Sequence, residues 1–294
     1  MRIALSGSTG LVGSALVSVL AGAGHTVVPI TRRGGSGIAW DGRESFDPEP
    51  LRACDAVIHL AGAGIAEVRW SAARRRELRD SRIVGTAALA RLLAADPGRV
   101  STLIVASATG FYGERGEAEL DEASSAGSGF LAELCRDWEA AADPCCARVR
   151  VAHLRLGVVL SPRGGALAQM LPSARLGLAG ALGSGRQWWS WISLDDLIQI
   201  VRFVLASPAL SGPLNAVSPQ PLRQVELARA LAAALGRPAL APPAPAWVLR
   251  LALGGVVDAL LLSSARVLPA RLTQAGFHWS QPDIGAALAS LRPR

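Results

Sequence analysis

The amino-acid sequence predicts an α/β fold: a Rossmann-type, doubly wound parallel sheet with a smaller C-terminal α/β region on its substrate side. Three observations predict it. Short apolar runs alternate with longer amphipathic stretches through the first half of the chain, as strands joined by crossover helices do. The runs read as near-continuous Val, Ile, Leu and Ala, the pattern of strands buried on both faces. A glycine-rich turn separates the first run from the first amphipathic stretch.

Taken in order, residues 2–6 and 26–30 are strand candidates, with a helix from Leu11 to about Ala23 between them. Residues 56–60 form a third strand, and a long helix covers about 72–94. Residues 102–106 are the fourth strand, 130–142 the next helix and 149–156 the fifth strand. After Leu160 the texture changes. Residues 161–191 are rich in Gly, Pro and Trp and read as a long loop with short helical pieces. A helix over 195–206 has Ser193 placed to cap it. A short strand over 213–217 and a helix over 225–235 follow. The Pro-rich run 238–245 reads as a linker or rigid turn, 247–264 as a buried or groove-forming helix, and 284–291 as a final helix. The expected division is a nucleotide-binding domain over 1–160, with 194–217 returning to it, and a substrate-side region over 161–193 and 218–294.

Composition narrows the function classes. Half the residues are hydrophobic and only 18% are charged, a globular rather than a disordered balance. The net charge of +7 invites an anionic partner. The basic residues are scattered, however, apart from Arg74-Arg75-Arg76, and few aromatics are available for stacking, so no nucleic-acid partner is expected. The four Cys form no C-x-x-C pair and the four His are dispersed, so no metal site is expected. Residues 3–31 carry no charge but contain spaced glycines and a second strand, which argues for a buried βαβ unit over a signal peptide. The apolar run 247–262 is broken by Arg250 and Asp258 and is too short to span a bilayer. No membrane partner and a reduced, cytoplasmic setting are the expectations. The sequence carries no signal of oligomeric state.

The strongest local signal is Gly7-Ser8-Thr9-Gly10-Leu11-Val12-Gly13, directly after the first strand and opening the first helix. There, Gly-permitted backbone geometry lets amide N–H groups approach a pyrophosphate at the positive end of a helix. The second strand ends in Thr31-Arg32-Arg33 rather than an acid. A carboxylate at that place accepts from a ribose 2′-hydroxyl and repels a 2′-phosphate, whereas a guanidinium pairs with it, so the expected cofactor is NADP(H).

The glycine loop, His59-Leu60-Ala61-Gly62 after the third strand and Ser107-Ala108-Thr109-Gly110-Phe111-Tyr112-Gly113 after the fourth resemble the extended short-chain dehydrogenases/reductases and sugar-nucleotide epimerases. The segments 163–165, 183–185, 188–192, 215–219 and 267–272 resemble an atypical branch of that superfamily, the epimerase-like family 39U. Its substrate is uncharacterised, and its members share a small C-terminal domain of unknown function. The resemblance implies that the glycine loop holds the pyrophosphate and that Thr31 and Arg32 hold the adenosine phosphate. It implies that Leu60 and Ala61 line the adenine and ribose side, that Glu77 and Arg82 lie near the cofactor, and that Val158 passes the nicotinamide.

Ordinary members of the superfamily use a Tyr-x-x-x-Lys pair with an upstream Ser or Thr, in which Lys lowers the Tyr pKa. All 30 basic residues here are Arg, so that pair is missing. The positions where it belongs fall on Leu131 and Cys135, and the Ser/Thr position falls on Ala108. Ser107, Tyr112 and Cys135 are the candidate donors near the nicotinamide, and the ordinary structural alternative stands beside each. Arg186, Gln187 and the tryptophans of 183–192 suit either a flat anionic ligand or simple packing between the two regions. Two readings follow: an oxidoreductase or epimerase-like enzyme acting on an unidentified small-molecule ligand with other acid–base groups, and a non-catalytic NADP(H)-dependent sensor or scaffold.

Overall fold

The computed structural model describes residues 1–32, 37–43, 48–65, 70–239 and 241–291. Its first half follows the βα alternation. Strand β1 (Arg2–Ser6) leads into helix α1 (Leu11–Gly22) and then β2 (Thr26–Thr31), with the two-residue β3 (Ile38–Ala39) and the one-turn α2 (Pro48–Arg52) before β4 (Ala56–His59). Helix α3 (Ala72–Ala95) begins where the Ser71 hydroxyl accepts from the Arg74 N–H, a side-chain cap for an otherwise unpaired amide. It runs unbroken to Ala95, and a short turn leads to β5 (Thr102–Ala108). The short β6 (Glu119–Leu120), helix α4 (Phe130–Ala140) and β7 (Arg150–Leu156) follow.

The chain then leaves the sheet. It passes through β8 (Val158–Leu160), α5 (Gly165–Arg175), β9 (Trp188–Trp189) and β10 (Trp191–Ser193), and returns by α6 (Leu194–Ala206) and β11 (Gly212–Ala216). The remainder comprises β12 (Leu222–Arg223), α7 (Gln224–Ala234), α8 (Ala246–Leu253), β13 (Arg266–Val267), α9 (Ala270–Gln274) and α10 (Ile284–Ala287).

Seven parallel strands make the main sheet, in the order β11-β7-β5-β4-β1-β2-β3. Alternation along each strand divides its side chains between two cores. Ile3, Leu5, Ile58 and Ile104 pack with Leu16 and Leu20 of α1 and Leu197, Val201 and Val204 of α6. Ala4, Val57, Leu103 and Val105 pack on the other face, with Leu89 and Leu93 of α3 and Trp138 of α4. Both faces are covered by helices, which is why the strands read as continuous apolar runs. A third core joins α5, α7, Trp189 and Trp191 beyond the strand ends.

Two expectations need correction. The run 247–264 is not one buried helix: α8 stops at Leu253, where Gly254 takes φ 74°, a π-helical turn follows over Asp258–Leu262, and no residue of α8 is buried. Conversely, the loop-like segment 161–191 contains the eleven-residue α5, which carries Pro172 inside it. Ser193 does cap α6, accepting from the Asp196 N–H at 3.1 Å. No helix among the described residues is long and apolar enough to cross a membrane.

Candidate nucleotide site at the strand ends

Ser6, the last residue of β1, ties two strand ends together. Its Oγ accepts from the Leu60 and Ala61 N–H groups at 3.1 and 3.2 Å and lies 2.7 Å from His59 Nδ1. With two amides donating to the oxygen, the hydroxyl proton points to Nδ1, which leaves the ring proton on Nε2. Burial holds the His59 imidazole neutral, with its pKa pushed down to about 4. Its Nε2 has no hydrogen-bond partner among the described residues. The ring stands 5.6 Å from that of Trp40.

The glycine turn follows at once. Gly7 takes φ 73°, and a Cβ there would come within 2.9 Å of the Leu60 carbonyl carbon. A Cβ on Gly13 would sit 2.1 Å from the Gly7 carbonyl oxygen, so α1 can lie against the turn only with glycine at this position. Gly10 is the N-cap residue of α1, where no side chain caps the helix and no acid stands in the first turn. The first amide donors of α1 therefore remain available at the positive end of its dipole. Ser8 is half-buried and Thr9 exposed beside them. Leu11 and Val12 are partly buried against the core, and Leu11 also meets the 164–165 backbone arriving from β8.

The other expected cofactor residues are spread around this turn. Thr31 ends β2, Arg32 beyond it is exposed, and Arg33 lies outside the described residues. Leu60 and Ala61 form the wall fixed by Ser6. Arg82 reaches back from α3, donating to the Ala63 carbonyl at 3.0 Å and stacking on Trp138. Its guanidinium carbon would be 3.2 Å from a Cβ on Gly62. Glu77 points elsewhere: its exposed carboxylate pairs with Arg74 at 2.7 Å, and Arg74 in turn donates to the Gly64 carbonyl. Val158 opens β8, its N–H donating to the Ser190 carbonyl at 2.8 Å.

The candidate proton donors are all engaged. Ser107 donates to Glu139 at 2.6 Å. Tyr112 donates to Asn215 Oδ1 at 2.7 Å and accepts from Arg155 at 2.9 Å. Burial pushes its phenol up to about 12, against the pull of Arg155. Cys135 is buried against the 108–110 turn, and its thiol is pushed up to about 12, first by burial and then by Glu139. The sequence reading missed the residues that engage them: Glu139, Arg155 and Asn215, with Glu122 accepting from the Asn215 N–H at 2.9 Å. Arg155 also lies 3.5 Å above the Phe111 ring.

Most of the Trp-rich segment is engaged in internal contacts, while Arg186 is exposed and Trp188 half-buried. Trp189 and Trp191 are buried, and Gln187 donates to the Leu182 and Leu261 carbonyls. The guanidinium groups of Arg223 and Arg266 lie 4.2 and 4.7 Å from the Trp188 ring. Among the described residues no group of His, Cys, Asp or Glu could hold a metal ion.

Comparison with known proteins agrees with this geometry. The model of the NAD dependent epimerase/dehydratase family matches residues 3–216, and that of a domain of unknown function, DUF1731, matches residues 244–291. The sequence is 45% identical over 298 residues to epimerase family protein Mb2239 of Mycobacterium bovis, covering 99% of this chain and 98% of that one. It is 38% identical to epimerase family protein SDR39U1 of Bos taurus, covering 98% of each. The crystal structure of human epimerase family protein SDR39U1 (isoform 2) with NADPH superposes with a TM-score of 0.89 at 34% identity, covering 99% of both chains. UDP-N-acetylglucosamine 4-epimerase from Bacillus cereus, at 17% identity and a TM-score of 0.78 over 99% and 98% of the two chains, shares the fold.

Proposed function

The chain belongs to the NAD dependent epimerase/dehydratase family, and from that premise we propose that it is an NADP(H)-binding, epimerase-like oxidoreductase of the SDR39U1 type. The observation that carries the proposal is the uncapped, acid-free start of α1 behind a turn whose glycines leave no room for side chains. That geometry suits a pyrophosphate. Gly7 to Gly13 cradle it, Leu60 and Ala61 bound the adenine and ribose, and Val158 borders the far end. Arg32, exposed and in no ion pair among the described residues, takes the 2′-phosphate. Arg82 braces the wall at Gly62 and Ala63, and Glu77 acts only through Arg74. The human relative crystallised with NADPH supports the choice of dinucleotide.

When bound, the dinucleotide supplies a ring that can be oxidised and reduced. What the chain lacks is the usual proton-handling partner. It contains no Lys, and Leu131 and Cys135 occupy the helix positions of the missing pair. A second reading, a sensor that binds NADP(H) without turnover, is favoured by the engagement of Ser107, Tyr112 and Cys135 in internal contacts.

Titration with NADPH and NADH, followed by energy transfer from tryptophan to the nicotinamide, tests the proposal. NADPH binding about tenfold or more tighter than NADH (about 1.4 kcal/mol), with the preference lost in Arg32→Ala, supports it. Equal affinities remove the role of Arg32, and binding of neither removes the function. Oxidation of bound NADPH by a panel of small carbonyl compounds then separates enzyme from sensor.

A further inference from the structure

The large apolar side chains that the described structure leaves exposed are, Met1 apart, confined to two short segments. Leu176 (75% exposed) and Leu178 (55%) follow the end of α5, and Trp247 (67%), Val248, Leu251 and Leu253 stand on α8. The segments are joined side by side. Gly177 lies against Pro238, Gly180 against Ala241 and Pro242, and the Gly183 N–H donates to the Ala244 carbonyl at 2.9 Å. The paired run from Gly177 to Gly183 spans at most about 20 Å, with the leucines at one end and α8 at the other.

Charge singles out what covers this strip. Residues 144–194 contain no Asp or Glu, and neither do residues 227–257. Arg175 precedes Leu176, Arg237 precedes Pro238, and Arg229 is on α7. All three are exposed, and none pairs with an acid among the described residues. Arg250 on α8 is balanced by Asp258 at 2.8 Å. A second copy docked through the same strip would bring three further arginines to it and no acid free to pair with them, since 144–194 and 227–257 carry none and Asp258 is taken by Arg250. An acidic surface able to take up protruding Leu and Trp side chains without a matching groove satisfies both features, and an anionic lipid bilayer is such a surface.

We infer that this strip is a peripheral docking site for anionic membranes, in which Leu176, Leu178, Trp247 and Leu251 enter the headgroup boundary and Arg175, Arg229 and Arg237 meet lipid phosphates. The absence of a spanning helix concerns insertion across a bilayer, not contact with its surface. The strip contains no residue assigned to the nucleotide site, so the inference stands apart from the proposed cofactor.

The test is co-sedimentation of the full chain with vesicles of phosphatidylcholine alone or mixed with phosphatidylglycerol. Binding is expected to the mixed vesicles only, with a blue shift of tryptophan emission and weakening as salt rises. Arg175→Ala with Arg237→Ala should weaken partitioning about thirtyfold, at about 1 kcal/mol for each arginine. Leu176→Ser with Trp247→Ser should abolish the blue shift while leaving the far-ultraviolet circular dichroism and NADPH titration unchanged. Failure of the unmodified chain to sediment with mixed vesicles overturns the inference, as does binding indifferent to the arginines. A concentration-dependent dimer in light scattering that Trp247→Ser dissociates reassigns the strip to a second copy.

Discussion

Arg155 and Glu139 meet in a two-pronged ion pair, Nε to Oε1 and Nη2 to Oε2, both at 2.8 Å. The two side chains are only 4% and 12% exposed. The pair ties the end of β7 to α4, and through Ser107 and Tyr112 it fixes the turn over 107–112.

Glu139→Gln leaves a buried guanidinium without its counter-charge. We expect a loss of about 3–5 kcal/mol in unfolding free energy, read from urea denaturation. The double substitution Glu139→Leu with Arg155→Met should recover much of that loss, because neither charge is then stranded. A single-variant loss below about 1 kcal/mol would show that the pair is not desolvated as described.

His59 has a folded pKa of about 4, below the ordinary imidazole value. Between pH 6.5 and 4 the unfolded chain therefore takes up a proton that the folded chain refuses. Stability should be full above about pH 6.5 and fall by up to about 3 kcal/mol as pH drops toward 4. Urea midpoints at pH 7 and pH 5 check this, and His59→Gln should flatten that part of the slope. Glu117, held down to about 2 by Arg223 and Trp188, acts in a separate and lower window, below its usual carboxylate range.

Gly13→Ala drives a methyl into the Gly7 carbonyl oxygen. Nucleotide affinity should fall at least about a hundredfold (about 2.7 kcal/mol), measured by the same energy-transfer titration. Gly22→Ala, whose Cβ would meet no atom within 4 Å, is the control and should bind as the parent does.

Native protein at pH 8 should react with a thiol reagent at Cys146 alone. It is the exposed cysteine, whereas Cys54, Cys135 and Cys145 are buried. Burial also pushes the Cys135 thiol up to about 12 and that of Cys145 to about 11, far from the thiolate that reaction needs. Mass spectrometry after labelling identifies the site. Early labelling of Cys135 would restore it as a candidate nucleophile.

How much of this was legible in the sequence depended on how local the signal is. The glycine turn and the first βαβ unit are written within thirty consecutive residues, and Gly7 and Gly13 each have a steric reason at their own position. Arg155 sits in a strand that reads as apolar, and its partner is sixteen residues away on a helix. Tyr112 and Asn215 are 103 residues apart. Nothing in either neighbourhood announces such a contact. The run 247–264 misled for another reason. Apolar density there suggests burial, but the helix stops at Leu253 and most of its large apolar side chains stay exposed. In α5 the opposite error arose, because Gly and Pro near its ends hid an amphipathic stretch whose Leu167 and Leu171 are buried.

The return of the chain to its first sheet also sets an order of events during synthesis. Strand β11 completes the sheet beside β7 only after the whole excursion through 158–193 has been made. Asp196, wholly buried at the start of α6, gains its donors Ser280 and Gln281 later still. Those groups are synthesised after every strand of the sheet, so a nascent chain halted before Ser280 lacks three donors to the Asp196 carboxylate. The contact between α6 and the C-terminal segment would form only once that segment emerges.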